Sequence, residues 1–204
     1  MDPSPDVPRR QAERVAETSR RLLKAAIELI AERGYDRTTT AAIGQRAGYS
    51  HGLVNVRFGN KDALLESILR SYEGTMLPTD TEGLRGLDLV LRQLGRAGER
   101  ANDEPEFFLA FCVLCFETAG PARSLRPWVA DWFGRYVAET AARLRAGQSD
   151  GSVRTDVDAD EEANWMFDAG VGVAFRWLID PEKTNIATEL GRLRDRVYDQ
   201  LRAR

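Results

Sequence analysis

The chain has 204 residues, of which 43% are hydrophobic, and this composition excludes wholesale disorder. It lacks both a secretory signal pattern and a run of roughly 18 apolar residues, so we expect a cytoplasmic protein without a membrane partner. The net charge of −3 is unevenly distributed: residues 1–65 carry 11 Lys and Arg against 8 Asp and Glu, whereas residues 66–204 carry 18 against 24. A basic head on an acidic body is typical of a DNA-binding segment joined to a domain with another partner.

Helix and turn signals alternate closely in the N-terminal part of the chain. Pro residues are concentrated at the start, and we predict a disordered arm over residues 1–13. Apolar residues at helical spacing predict a first helix over about 15–33, and Gly34 follows it as a C-cap. Thr38–Thr40 supply an N-cap for a short second helix that ends near Ala47.

A tight turn at Gly48 separates the second helix from a third, which Ser50 caps and which reaches about Arg57. Asn60 caps a fourth helix. Beyond it only helices are predicted, and a polar loop over 147–158 interrupts them; the helices cover 84–101, 105–119, 127–146, 158–178 and 184–204. Because no segment alternates with a period of two, the sequence predicts an all-α fold of about nine helices.

Two short helices joined by the Gly48 turn form a helix-turn-helix pattern, which by spacing alone also fits an ordinary helical corner. The residue identities favour the first interpretation. They resemble the DNA-binding domain of the TetR (tetracycline repressor) family position by position over Gly34-Tyr35-Asp36-Arg37-Thr38-Thr39-Thr40, Ile43, Ala47-Gly48-Tyr49-Ser50, Gly52 and Phe58-Gly59-Asn60-Lys61-Asp62-Ala63-Leu64-Leu65.

The resemblance implies a one-component transcriptional regulator. Its DNA-binding helix-turn-helix domain would comprise three helices over residues 14–60, and its C-terminal helical domain over residues 61–204 would bind an effector and form a homodimer. We therefore expect a repressor that binds a palindromic operator in double-stranded DNA and is released by a small, mostly hydrophobic effector. No cofactor and no metal are expected.

The predicted DNA contacts lie at two helix N-termini and on the third helix. Thr39 and Thr40 stand where free backbone N–H groups attract a phosphate, although the same residues can simply cap the helix. Lys61 opposes the dipole of the fourth helix, and the resemblance implies that a phosphate resolves this conflict. The full predicted set is Thr39, Thr40, Ser50, His51, Gly52, Asn55, Val56, Arg57 and Lys61.

The third helix departs from the family pattern at two positions. Family members usually carry an aromatic residue, most often Tyr, where this chain has Asn55, and often His or Tyr where it has Arg57. Asn55 could pair bidentately with adenine, and Arg57 could bind guanine or a phosphate. His51, the single histidine, is expected to contact a base or a phosphate. The operator sequence therefore cannot be taken from relatives.

An apolar stripe on each of the last two helices predicts either core packing or a dimer interface. The resemblance favours the interface, because the family dimerises through a four-helix bundle of these helices, and a two-fold dimer suits a palindromic operator. The predicted interface residues are Met166, Gly170, Val173, Trp177, Ile186, Leu190, Leu193 and Val197.

Bulky apolar residues between 107 and 133, together with one tryptophan further on, predict a core, an effector pocket or both, since such pockets are mostly apolar. The predicted ligand-binding residues are Phe108, Phe111, Cys112, Cys115, Trp128, Trp132 and Trp165. Cys112 and Cys115 share a helix face, which fits two buried apolar residues or a redox-sensing pair.

An enzyme is not expected, because the chain offers neither a nucleophile–base pair nor a Gly-rich phosphate loop. Two alternatives to a ligand-controlled repressor remain open at this stage. One is a helical interaction protein that does not bind DNA, and the other is a regulator that senses redox state through its two cysteines.

Overall fold

The computed structural model describes residues 6–50, 52–76 and 82–203. This part of the chain contains nine α-helices, one short 3₁₀ helix (Arg123–Leu125) and an isolated β-bridge between Val153 and Arg202. The all-α expectation is confirmed. The helices are α1 Asp6–Arg37, α2 Thr40–Arg46, α3 Gly52–Phe58, α4 Lys61–Met76, α5 Gly86–Asp103, α6 Pro105–Glu117, α7 Arg126–Asp150, α8 Ala159–Ile179 and α9 Ile186–Leu201.

Helix α1 begins earlier than the sequence predicted. It starts at Asp6, so the predicted arm over residues 1–13 is wrong for residues 6–13, and residues 1–5 lie outside the described part. The prediction failed because it interpreted the prolines at the start, including Pro8, as a disordered segment. Pro8 falls in the first turn of the helix, where backbone N–H groups have no intrahelical acceptor and a proline is therefore tolerated.

The turns around α2 follow the sequence signals closely. Gly34 has a φ of 77° and interrupts the end of α1, while the hydroxyl of Thr38 donates to the Gly34 carbonyl at 2.7 Å. The side chain of Thr39 caps α2 by accepting a hydrogen bond from the Ala42 amide at 3.1 Å. The turn after α2 contains Gly48, whose φ of 78° is readily available to glycine.

Helix α7 is longer than predicted. It continues to Asp150 and ends at Gly151, so the predicted loop over 147–158 is wrong for its first four residues. Helix α5 crosses α7 closely at Gly147: a Cβ added to Gly86 would lie 2.2 Å from the Gly147 amide nitrogen. The two glycines allow this close crossing, and the Asp150 carboxylate accepts a hydrogen bond from the Gly86 amide at 3.0 Å.

Two buried clusters hold the helices together. The first is shared by α1–α4 and α6, with the start of α7, the end of α5 and the start of α9, and the N-terminal helices pack on the body mainly through α1 and α6. The second lies between α5, α7, α8 and α9. Within the described ranges, no helix is long and apolar enough to cross a membrane.

Candidate nucleic-acid interface and ligand cavity

Helix α3 has a buried side and an exposed side. Val54 is buried in the cluster with α1 and α4, as predicted, and Phe58 packs partly against it. Asn55, Val56 and Arg57 are exposed, and 83% of Val56 is accessible to solvent. The side of α3 that carries Asn55 and Val56 therefore faces solvent.

Inside the protein, Gly52 is not needed for packing, whereas Arg57 makes a hydrogen bond to another helix. A Cβ at Gly52 would meet no atom within 4 Å, so no packing inside the protein demands a glycine there. Arg57 leans back on α1 and donates from its Nε to the Ser19 hydroxyl at 2.8 Å. A contact from this nitrogen to DNA therefore requires that the bond to Ser19 open.

The predicted phosphate ligands before α2 and α3 are at the surface. Thr39 is exposed even though its hydroxyl caps α2, and Thr40, the first residue of that helix, is half-buried. Ser50 is exposed, and its carbonyl accepts a hydrogen bond from the Leu53 amide at 3.1 Å. His51 lies outside the described residues.

Lys61 has partners inside the protein. Its Nζ donates to the Tyr35 carbonyl at 3.0 Å and lies 3.4 Å from the centre of the Tyr35 ring. Burial lowers the pKa of Lys61, while the neighbouring Asp62, Asp36 and Glu117 favour its charged form. The conflict with the α4 dipole is thus reduced by the carbonyl and ring of Tyr35, and a phosphate is not needed to explain the residue.

A second network connects this surface to the C-terminal body. The Tyr35 amide donates to the Glu117 carboxylate at 2.7 Å, and the Tyr35 hydroxyl donates to Asp62 at 2.6 Å. Gly34 leaves room for this contact, because a Cβ there would lie 2.6 Å from an oxygen of Glu117. The last residue of α6 is therefore fixed against the turn that precedes α2.

An apolar cavity of about 150 Å³ lies between α4, α5, α6, α7, α8 and α9. Five of the seven predicted ligand-binding residues line it: Phe108, Phe111, Cys112, Cys115 and Trp132. Phe116 and Phe133 also line it and belong to the apolar segment from which the pocket was predicted. Sequence reasoning missed Tyr72, Leu94, Ala97, Tyr136, Phe167, Val171 and Ala174, which complete the wall together with Met166, Gly170 and Leu190. Tyr136 could have been predicted, because it lies four residues after Trp132 and therefore on the same side of α7.

Two tryptophans predicted for the pocket are elsewhere. Trp128 stacks on Trp132 with ring centres 6.2 Å apart and does not line the cavity. Trp165 is 39% exposed on the outer side of α8, beside a groove between α8 and α9. The prediction failed for both because aromatic composition alone does not show on which side of a helix the ring lies.

The cysteines behave as apolar wall residues. Both are free thiols, and burial raises the pKa of Cys112 to about 12 and that of Cys115 well above its ordinary value. The reactive form of cysteine is the thiolate, which is scarce under these conditions. The environment of the thiols therefore does not support the redox-sensing alternative.

Most of the predicted dimer residues are buried within one protomer. The stripe of α9 packs mainly against α5, and Met166 and Gly170 of α8 line the cavity. Gly170, Val173 and Trp177 are half-buried. Met166, Ile186, Leu190, Leu193 and Val197 are buried within the protomer, although Leu193 also lines a groove between α8 and α9. The interface itself stays a prediction.

The outer side of α8 presents a different apolar surface. Besides Trp165, Phe175 is 52% exposed and Ile179 is 71% exposed. Phe175 contacts Phe116 with ring centres 5.3 Å apart, which leaves its other side open. These three side chains, with the groove beside Trp165, form the outer face of α8.

Comparisons with known proteins agree with this architecture. The family model described as "Bacterial regulatory proteins, tetR family" matches residues 22–68. The chain is 26% identical to the HTH-type transcriptional regulator TtgR of Pseudomonas putida over 95% of this chain and 96% of that protein. It is 32% identical to the HTH-type transcriptional regulator BetI of Burkholderia thailandensis, over 61% of this chain and 57% of BetI.

A solved structure shows the same fold. SmeT, described as the repressor of a Stenotrophomonas maltophilia multidrug efflux pump, superposes with a TM-score of 0.73 at 19% identity, over 91% of this chain and 92% of SmeT. Residues 22–68 match the TetR family model, and the rest of the chain is similar to regulators of that family. The protein is a DNA-binding regulator, and both curated relatives are named as regulators and not as enzymes.

Proposed function

We propose that this protein is a homodimeric repressor that binds a palindromic operator and is released when a small, mostly hydrophobic effector enters the apolar cavity. One observation carries the proposal: helix α6 connects the two sites. Its Cys112 and Cys115 line the cavity, and Glu117, two residues further on, accepts the hydrogen bond from the Tyr35 amide beside the helix-turn-helix.

DNA reading is assigned to the exposed side of α3. Asn55 is suited to a bidentate contact with adenine, Val56 to a thymine methyl group and Arg57 to guanine or a phosphate. Gly52 permits close approach of the helix to the base edges. His51 is retained as a proposed contact on its sequence position alone.

Phosphate binding is assigned to four residues at or just before the N-termini of α2, α3 and α4. They would fix the register of the domain on the duplex without reading bases. Lys61 keeps this role only if its Nζ reaches a phosphate while it remains close to Tyr35. The proposed phosphate contacts are Thr39, Thr40, Ser50 and Lys61.

The dimer interface is assigned to the outer face of α8 and the groove beside it. A closed two-fold dimer presents the same surface from both subunits, and large apolar side chains exposed on one helix fit this arrangement. Val173 and Trp177 stay in the proposed interface because they are half-buried, and Trp165, Phe175 and Ile179 join them.

Release requires that the effector favour one arrangement of α6 over another, since only differential binding shifts an equilibrium. A ligand in contact with Cys112 and Cys115 presses on the same helix that ends at Glu117. Movement of that end changes the position of Tyr35 and with it Lys61. The two reading helices of the dimer would then no longer match the half-site spacing.

Selection of DNA from a random pool tests the proposal directly. We expect a two-fold symmetric consensus, bound in a strongly salt-dependent manner, and loss of binding when a compound occupies the cavity. Selection that yields no symmetric sequence would contradict operator binding. A compound that raises the melting temperature of the protein without weakening its DNA complex would contradict release.

The dimer assignment has its own test. Ile179→Arg should give a folded monomer in sedimentation, because the substituted side chain lies on the exposed face. Val197→Arg is the matched comparison and should unfold the protein, because Val197 is completely buried within the protomer. A native dimer in Ile179→Arg would remove the outer face of α8 from the interface.

A further inference from the structure

A side-chain hydrogen bond joins the end of α3 to α1. Arg57, in the last turn of α3, donates from its Nε to the Ser19 hydroxyl at 2.8 Å. Ser19 lies one turn before the fully buried Leu22 and on the same side of α1. The bond therefore lies at the edge of the core, next to the exposed side of α3.

The Ser19 hydroxyl accepts in this bond and is itself held in place. It donates its own hydrogen to the Val15 carbonyl at 3.0 Å. A serine hydroxyl has one hydrogen to donate and two lone pairs, so towards Arg57 it can only be an acceptor. The bond to Val15 also fixes the position of the hydroxyl oxygen, and with it the point at which the Nε of Arg57 is held.

Arg57 keeps its charge and its other donors in this arrangement. Within the described ranges, its Nη1 and Nη2 make no hydrogen bond or ion pair. The carboxylate nearest to Ser19 in sequence, that of Glu17, is bound by Arg20 at 2.8 Å and by Arg21 at 2.7 Å. A hydroxyl orients a guanidinium without neutralising it, whereas a carboxylate would offset its charge.

The position of Arg57 on α3 favours contact with a phosphate over contact with a base. Arg57 follows the buried Val54 by three residues, so it projects from the border between the buried and exposed sides of the helix. Val56, 83% exposed, lies opposite Val54 and would reach deepest into a groove. A helix with its side chains is about 10–12 Å across, roughly the width of the major groove, so its borders face the sugar-phosphate backbones.

We propose that Ser19 is a positioning residue for DNA binding: it holds the Nε of Arg57 so that Nη1 and Nη2 bind one phosphate of the duplex together. The two terminal nitrogens form the end of a planar fork that matches two phosphate oxygens. Because the fork is held in advance, Arg57 loses less side-chain freedom when it binds. The phosphate contact rests on the proposed function, whereas the bond that holds Arg57 does not.

The held state of Arg57 is tested first on the full-length protein without DNA. In nuclear magnetic resonance spectra, the Nε–H of Arg57, assigned by its loss in Arg57→Lys, should exchange with water more slowly in the wild type than in Ser19→Ala. Thr18→Ala is the matched control and should exchange like the wild type, because the Thr18 hydroxyl donates to the Arg14 carbonyl at 2.8 Å and does not contact Arg57. Equal exchange in all three proteins would overturn the positioning role.

Fluorescence anisotropy on the selected operator and on unrelated DNA then tests the phosphate contact. Relative to Thr18→Ala, Ser19→Ala should weaken binding to both DNAs by about three- to tenfold, and Ser19→Thr, which keeps the hydroxyl, should stay within about twofold of the wild type. The salt-dependence slope should change little in Ser19→Ala, because Arg57 is still present and charged. It should fall by roughly one unit in Arg57→Ala.

A double-mutant cycle shows whether Ser19 acts through Arg57. Arg57→Lys keeps the positive charge but has neither the Nε donor nor the planar fork, so its loss should be about that of Ser19→Ala. The combined variant should bind within about twofold of Arg57→Lys, because the two changes remove the same interaction. Additive losses would overturn the proposal, since Ser19 would then act by another route.

Two further results separate this proposal from the proposed function. A loss in Ser19→Ala that is confined to one base pair of the operator would overturn the phosphate contact, because Arg57 would then read a base. A wild-type protein that selects no operator contradicts the proposed function. A wild-type protein that binds its operator, together with equal affinities of Ser19→Ala and Thr18→Ala, contradicts the role of Ser19 alone.

Discussion

Gly52→Ala should raise the stability of the protein and weaken its binding to DNA. A Cβ at this position meets no atom within 4 Å, so the added methyl group costs no packing. Replacement of glycine at a compatible backbone position stabilises a protein by about 0.4–1 kcal/mol, mainly because the unfolded chain loses freedom. For a chain of this length, that corresponds to a rise of about 1–4 °C in melting temperature.

The same methyl group would hold α3 away from the base edges. DNA affinity, measured by fluorescence anisotropy on the selected operator, should fall by about tenfold or more, the equivalent of one good base contact. Gly134→Ala is the matched control: it is an exposed helical glycine on α7 with no atom within 4 Å of its Cβ, and only its stability should change. Unchanged DNA affinity in Gly52→Ala would show that α3 does not approach DNA closely.

Three further substitutions test other parts of the account. Lys61→Ala should weaken binding similarly on all DNA sequences and reduce the salt-dependence slope by roughly one unit; an unchanged slope would leave Lys61 only its contacts with Tyr35. Glu117→Ala should reduce the effector-induced change in DNA affinity by about fivefold or more, whereas Glu106→Ala at the far end of α6 should not; equal responses would refute coupling through Glu117. Gly86→Ala should lower the free energy of unfolding by about 1–3 kcal/mol, because the methyl group overlaps α7; chemical denaturation with native stability would contradict the close crossing.

The N-terminal helices were predictable because their signals are local. Thr39 and Asn60 cap the helices that follow them, and each makes its capping bond within three residues. Gly34 and Gly48 have the positive φ angles expected of glycine at turns. Such features depend on neighbouring residues and can be read from a short stretch of sequence.

The C-terminal body was predicted less well because its apolar stripes have more than one suitable partner. The α9 stripe around Leu193 is equally suited to α5 of the same chain and to a second subunit, and the fold uses α5. The position of Trp165 on α8 depends on helix rotation, which composition does not encode. The hydrogen bond from Gln93 to Thr140 joins two helices that are distant in sequence, and no local pattern indicates it.

A footprint of the full-length protein on its selected DNA, with and without a compound that occupies the cavity, tests the central claim most directly. We expect two symmetric protected half-sites without the compound and loss of both at saturation. The compound should raise the melting temperature over the same concentration range, since ligand binding stabilises the folded state. Protection that persists when the cavity is saturated would contradict an effector-released repressor.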